Sequence, residues 1–367
     1  MQKVLQTALS AGLSATEGFH SSKPNPVPKD FNGMEYVLPV DFVPKGSGRI
    51  SIKGKNGNVD ASYISIGAWS WGDDSTWHWN DDELDSLKEG WKLLVENGIN
   101  YIDTAQAYGS GKSEEICGEL VKGMPRDSYV MQTKYYVVPK PANILHPAGD
   151  VVTALESSLK RMGLDFVDVY MIHGPIHPGS YKTIAEGAAE CVEKGMTKCI
   201  AVANYDAEDM IKMYDALAEH GIPLAINQCE YSVLRRMPET SGLMKACRER
   251  GIIFQSYSSL AQGRLTGKWN SKNEPPKTYR FSSYPMKDLE PTLDVLRKIA
   301  DAHNVTMAGV ALNYNLSKGV IPVVGVRNSG QAKSNLTAFD WRLSDEEIKE
   351  IDSVSLEGKT TLFWQQG

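Results

Sequence analysis

The sequence predicts an α/β protein assembled from eight strand–helix units, and two observations carry that reading. Short apolar runs recur at residues 64–69, 99–104, 130–134, 167–173, 198–203, 224–228, 252–257 and 320–325, with helically spaced segments between most of them. Many of these runs show little polar–apolar alternation, as expected when both faces of a parallel strand are covered. Glycine turns then close the helical segments at Gly98, Gly163, Gly195, Gly221 and Gly251, since the left-handed residue after a helix favours glycine. Eight such units suit either an open doubly wound sheet or a closed barrel, and the repeat alone does not choose.

Taken in order, residues 1–35 lack sustained periodicity and contain Lys-Pro-Asn-Pro-Val-Pro at 23–28, which reads as a poorly structured or extended arm. Residues 36–60 alternate weakly and turn at Gly46 and Gly48 and again at Asn56-Gly57-Asn58, which predicts one or two short hairpins. Helical spacing marks 82–97, 150–162, 183–193, 208–220 and 243–250. Residues 260–289 are long, polar and rich in proline and aromatics, and a connection of that kind is normally functional. Helical segments at 292–303 and 306–316 precede the eighth run, and a further helix opens at Ser329.

Composition excludes several classes of function. The 367 residues carry 39 Lys+Arg against 45 Asp+Glu, a formal charge of −6, so no basic excess exists to neutralise a nucleic acid. No apolar run approaches the ~18 residues of a membrane span. Five cysteines without a CxxC pair predict reduced thiols rather than a disulfide framework or a thiolate metal site. The first arginine is Arg49, after Glu17 and Asp30, unlike an Arg-rich transit peptide; the expected location is cytoplasmic. No metal is expected: Pro175 and Pro178 forbid a helix carrying His173 and His177. GSGKS at 109–113 resembles a phosphate loop but has Gln106 where the leading glycine should stand.

The chemistry gathers at the C-terminal ends of the apolar runs. They close on Asp103, Lys134, His173, Asn204, Gln228 and Tyr257, and the eighth leads into Arg327. In an α/β barrel these ends converge on one rim. A buried strand has no use for unpaired charges there, because each costs several kcal/mol.

Five stretches carry a family resemblance: GINYIDTAQAYG (98–109), LDFVDVYMIH (164–173), NQCEYS (227–232), YSSLAQGRLTGK (257–268) and GVRNSGQAKSN (325–335). Together they resemble the aldo-keto reductases over roughly residues 60–350. The resemblance implies a (β/α)8 barrel, here a single domain over 36–367 with an N-terminal hairpin and an extra C-terminal helix. It places the catalytic set on Asp103, Tyr108, Lys134 and His173. Tyr108 is then the proton donor to a carbonyl oxygen, Lys134 lowers the phenol's pKa, Asp103 holds the ammonium, and His173 orients the substrate.

The resemblance also implies NADPH/NADP+ as cofactor. Asn204 and Gln228 would bond the nicotinamide carboxamide, and Tyr257 would stack on its ring. Ser258, Leu260 and Gln262 would follow the pyrophosphate. Gly325, Arg327, Gln331 and Asn335 would hold the adenosine half, with the Arg327 guanidinium suited to a 2′-phosphate. Ala203, Ser259 and Val326 depart from the family's common residues without touching the catalytic set. Four of the eight tryptophans, Trp69, Trp71, Trp77 and Trp79, fall in one stretch after the first run. With His146 and Tyr135–Tyr136 they predict an aromatic wall for a bulky, aromatic carbonyl substrate. The expected reaction is NADPH-dependent reduction of an aldehyde or ketone. The alternative is a regulatory subunit of the potassium-channel β type that binds NADPH with little turnover. A Schiff-base role for Lys134 is disfavoured, because Asp103 keeps the amine protonated.

Overall fold

The computed structural model describes residues 25–137, 144–275 and 284–358. The eight apolar runs form strands β3 (Ser65–Gly67), β4 (Tyr101–Asp103), β5 (Val130–Tyr135), β6 (Val167–Ile172), β7 (Thr197–Ala203), β8 (Leu224–Glu230), β9 (Ile253–Tyr257) and β10 (Ile321–Gly325). Every neighbour pair is parallel, and β10 closes on β3, so the sheet is a barrel. The open-sheet alternative is thereby removed.

Period-two geometry sends alternate residues of each strand into the barrel. Tyr101, Val130, Val169, Met171, Ala201 and Ile226 fill its lower layers. One hairpin, β1 (Arg49–Ile52) with β2 (Val59–Ser62), adds Ile52, Val59 and Ala61 to the same cluster. It therefore seals the N-terminal end of the barrel. Asn100 pins it there: its Oδ1 accepts from Ser62 N at 2.8 Å, and its Nδ2 donates to Asp60 O at 3.2 Å. The outward residues, such as Ile102, Met131, Tyr170 and Ile200, pack beneath the helices.

Those helices follow their apolar stripes. The helix Leu84–Glu96 buries Leu87, Trp91 and Leu94 along one face. The helix Pro147–Met162 stops at Gly163, whose φ of 65° only glycine adopts freely. The extra C-terminal helix is Asp345–Ser353, capped by Ser344 and Glu347 in a reciprocal capping box.

One departure from the sequence reading has a clear cause. The helix expected to open at Thr292 begins at Met286 and runs through Pro291. Met286, Leu289, Leu293 and Leu296 are all buried on it, and that burial outweighs the proline's lost hydrogen bond. Of the expected arm, residues 1–24 lie outside the described residues, and residues 25–35 are tied to the barrel. Pro26 bridges to Leu356, Asn32 caps the turn Gly33–Tyr36, and buried Lys318 donates to Gly33 O at 3.0 Å. Among the described residues no helix is long and apolar enough to cross a membrane.

Candidate active site

With the lower end sealed, the polar residues of the strand ends face the opposite mouth. Asp103 closes β4, Lys134 lies near the end of β5, and His173 follows β6 directly. Tyr108 stands in the turn after β4. Gly109 follows it with φ 52°, and a Cβ there would lie 2.6 Å from Gly72 O. Only a residue without a side chain lets these two loop backbones approach so closely.

Lys134 Nζ donates to Asp103 Oδ2 at 2.7 Å, to Thr104 O at 2.9 Å and to Tyr108 OH at 3.1 Å. Asp103 and Lys134 are buried, Tyr108 half-buried. Burial alone would depress the Lys134 ammonium, but the charges of Asp103 and Tyr108 outweigh it and hold its pKa above the ordinary lysine value. Lys134 is thus a permanent cation three atoms deep in a carboxylate–ammonium–phenol chain. The His173 ring meets the Tyr108 ring edge-on, with centroids 5.8 Å apart. The four residues of the expected catalytic set therefore meet at one place.

The aromatic stretch divides. Trp69 lies 6.1 Å from Tyr108 and so borders the phenol, and Trp77 packs edge-to-face on Trp69 at 5.1 Å behind it. Tyr136 joins from the other side, 5.6 Å from His173. Trp71 does not belong to this wall: it is fully buried, and its indole N–H donates to Val326 O at 2.8 Å. Trp79 is buried too, bonded to Asp81 and set 5.6 Å from the Arg327 guanidinium. Tyr135 points outward to Asp150 at 2.7 Å. His146 is exposed ahead of the helix Pro147–Met162 and takes no part in the ring contacts around Tyr108.

On the remaining side lie the residues expected to meet a dinucleotide. Asn204, with φ 62°, accepts from Tyr257 OH at 2.8 Å and donates to His173 O at 3.1 Å. Gln228 Nε2 donates to Asp103 Oδ1 at 3.2 Å. Ser258, Ala261, Gln262 and Gly263 all have positive φ, so the chain after β9 coils tightly around Leu260. Gly325 ends β10; Asn335 Nδ2 donates to its carbonyl at 3.4 Å, and Gln331 Oε1 accepts from Arg327 N at 2.7 Å. Arg327 grips the Glu83 carboxylate with Nε, at 2.7 Å, and with Nη2, and donates to Trp77 O at 3.0 Å.

This donor set fits a nicotinamide dinucleotide. Gln228 leaves its Oε1 open beside the ammonium–phenol chain, and the two-pronged seat on Arg327, filled here by a carboxylate, has the geometry that takes a phosphate. Sequence reasoning missed Glu83, and it missed Gln132 and Gln255, buried beneath the mouth. The available signal for the glutamines was their spacing, each two residues before a mouth residue on its strand (Lys134, Tyr257), hence on the same barrel face.

Comparison with known proteins decides the family. The model of the aldo/keto reductase family matches residues 63–356. The chain belongs to that family. Its members are NAD(P)H-dependent oxidoreductases acting on carbonyls. The chain is 31% identical over 327 residues to the chloroplastic pyridoxal reductase of Arabidopsis thaliana, covering 85% of this chain and 88% of that protein. It is 30% identical to the NADH-specific methylglyoxal reductase of Escherichia coli, covering 78% and 93%. The barrel superposes on an aldo-keto reductase of Klebsiella pneumoniae solved with NADPH at a TM-score of 0.66 and 22% identity, covering 86% and 96%. That last likeness is one of fold.

Proposed function

We propose that this aldo-keto reductase reduces an aromatic or otherwise bulky aldehyde or ketone to its alcohol, with NADPH as cofactor and Tyr108 as proton donor. The observation that carries the reading is the Tyr108 hydroxyl 3.1 Å from a buried ammonium that Asp103 holds at 2.7 Å. When bound, NADPH would supply the hydride for the carbonyl carbon. Tyr108 gives its proton to the carbonyl oxygen, and the fixed charge of Lys134 stabilises the phenolate left behind. Asp103 keeps that charge in place. His173, against the Tyr108 ring, orients the carbonyl oxygen toward the phenol. Asn204 and Gln228 would receive the carboxamide, Tyr257 the nicotinamide face, and Arg327 the 2′-phosphate.

Trp69 against Tyr108, backed by Trp77, and Tyr136 against His173 supply flat rings at the site, which favours a flat substrate. The relative named pyridoxal reductase supports the same choice, and pyridoxal is the first substrate to test. In Tyr108→Phe, reduction followed by NADPH absorbance should fall by about 10²–10⁴-fold, while NADPH binding, read by fluorescence, stays near wild type. Equal loss of both would place the acid elsewhere. Tight NADPH binding without turnover on any aromatic aldehyde or ketone would favour the regulatory reading.

A further inference from the structure

Beneath the mouth, four side chains from four strands close a ring of hydrogen bonds that none of the steps above uses. Gln132 Nε2 donates to Asp103 Oδ1 and, at 3.1 Å, to Gln255 Oε1. Gln228 Nε2 donates to the same two oxygens, at 3.2 Å and 2.8 Å. All four residues are buried, and the Tyr101 hydroxyl occupies the remaining oxygen of Gln132.

A primary amide can turn over with almost no change of shape, so its neighbours decide which end faces where. The deciding neighbour here is a carboxylate, which only accepts. Lys134 occupies Oδ2 at 2.7 Å, and Oδ1 takes N–H from both Gln132 and Gln228. Their second protons then require an acceptor from Gln255. Gln255 turns its oxygen inward accordingly, and its Nε2 faces away from the carboxylate. Gln228 ends with both protons spent, and among the described residues its Oε1 accepts no hydrogen bond.

We infer that the charge on Asp103 sets, through this ring, the polarity of the nicotinamide pocket. Gln228 can offer the carboxamide only an acceptor, and Gln132 and Gln255 are the positioning residues that hold it so. The inference rests on the placement of the carboxamide against Gln228 proposed above. It predicts that the pocket selects for the carboxamide N–H, which the 3-acetylpyridine analogue of NADP+ replaces with a methyl group.

The test is the ratio of dissociation constants for NADP+ and that analogue, read by quenching of protein fluorescence and so independent of turnover. Wild type should favour NADP+ by roughly tenfold or more, about the worth of one buried hydrogen bond. In Asp103→Asn, the new amide can turn its oxygen to Lys134 and its N–H to Gln228, freeing Gln228 to turn over. It would then donate to the carbonyl that both dinucleotides share, and the preference should shrink below roughly threefold. Gln255→Leu, which removes the second acceptor, should narrow it in part. A merely structural role would weaken both dinucleotides alike. An unchanged preference in folded Asp103→Asn overturns the inference whatever Gln255→Leu shows. Gln228→Ala separates the two readings: unchanged NADP+ affinity there means the carboxamide does not lie at Gln228 and the parent reading fails. Weakened NADP+ with the preference intact in Asp103→Asn sinks the ring alone.

Discussion

Arg327 holds the Glu83 carboxylate through both Nε and Nη2, and the carbonyls of Trp77 and His78 accept from the same guanidinium. A 2′-phosphate seated there would have to displace Glu83 or sit beside its negative charge. The pair is partly exposed, with side-chain exposures of 23% and 32%, so its own worth is about 0–1 kcal/mol. Its effect on an incoming anion is larger than its effect on stability. Glu83→Gln should therefore tighten NADP+ by roughly three- to tenfold and leave NAD+ little changed, while Arg327→Ala should weaken NADP+ more than NAD+. Fluorescence titration with both dinucleotides checks this, and parallel changes for the two would remove the 2′-phosphate from Arg327.

The loop between β3 and the helix Leu84–Glu96 acts as one element because it is tied to the end of β10 twice. Trp71 Nε1 bonds Val326 O at 2.8 Å, and the next residue, Arg327, bonds Trp77 O at 3.0 Å. Gly72 adds the backbone contact to Gly109 that places Tyr108. Removing the first tie in Trp71→Phe leaves a buried carbonyl short of its donor, which costs about 1–3 kcal/mol. The variant should unfold at lower denaturant and bind NADP+ more weakly, because Arg327 loses its support. Its turnover at saturating cofactor should fall as well, because the same loop carries Trp69 and sets Gly72 against Gly109 beside Tyr108; weakened NADP+ binding with wild-type turnover would mean that the loop supports the dinucleotide alone.

At the scale of the whole molecule, buried charge joins elements that are distant in the chain. Arg236 Nη2 meets Glu239 Oε2 at 2.7 Å, while Lys318 Nζ reaches Glu239 at 3.4 Å and Asp352 at 3.1 Å. The network links Gly33, the helix Met307–Ser317 and the C-terminal helix Asp345–Ser353. Burial pushes the Glu239 carboxyl up, but Lys318 and Arg236 outweigh it and hold its pKa below the ordinary carboxylate value. A carboxylate depressed in the folded state contributes stability that is complete above its unfolded pKa, near 4.3, and is lost as pH falls through the lower folded value. Glu239→Gln should thus cost about 3–5 kcal/mol at pH 7, since it leaves two buried cations short of an anion. The gap from wild type should narrow as pH falls through the unfolded value towards the lower folded one, where wild-type Glu239 itself takes up a proton. Denaturant unfolding at neutral and acid pH measures both, and a gap that widens in acid would reverse the assignment.

The eight strands, most of the helices and the three residues gathered with Tyr108 were legible in the chain because burial on both faces of a strand, glycine at helix ends and polar residues at strand ends each leave a local mark. Closure of the sheet was not local: an open sheet uses the same repeat, and only the pairing of β10 with β3 distinguishes them. The same limit explains the misplaced residues. Trp71 and Trp69 are two positions apart and chemically identical, yet one is core and the other borders the phenol, because the loop turns between them. Gln132 and Gln255 read as ordinary polar interruptions until strands far apart in sequence bring them onto one carboxylate. The chain's pattern of apolar and polar residues determined what the elements are and which groups could do chemistry. Only the closed barrel decided which polar atoms meet, because a hydrogen bond or ion pair is set by distances of a few ångströms between residues a hundred positions apart.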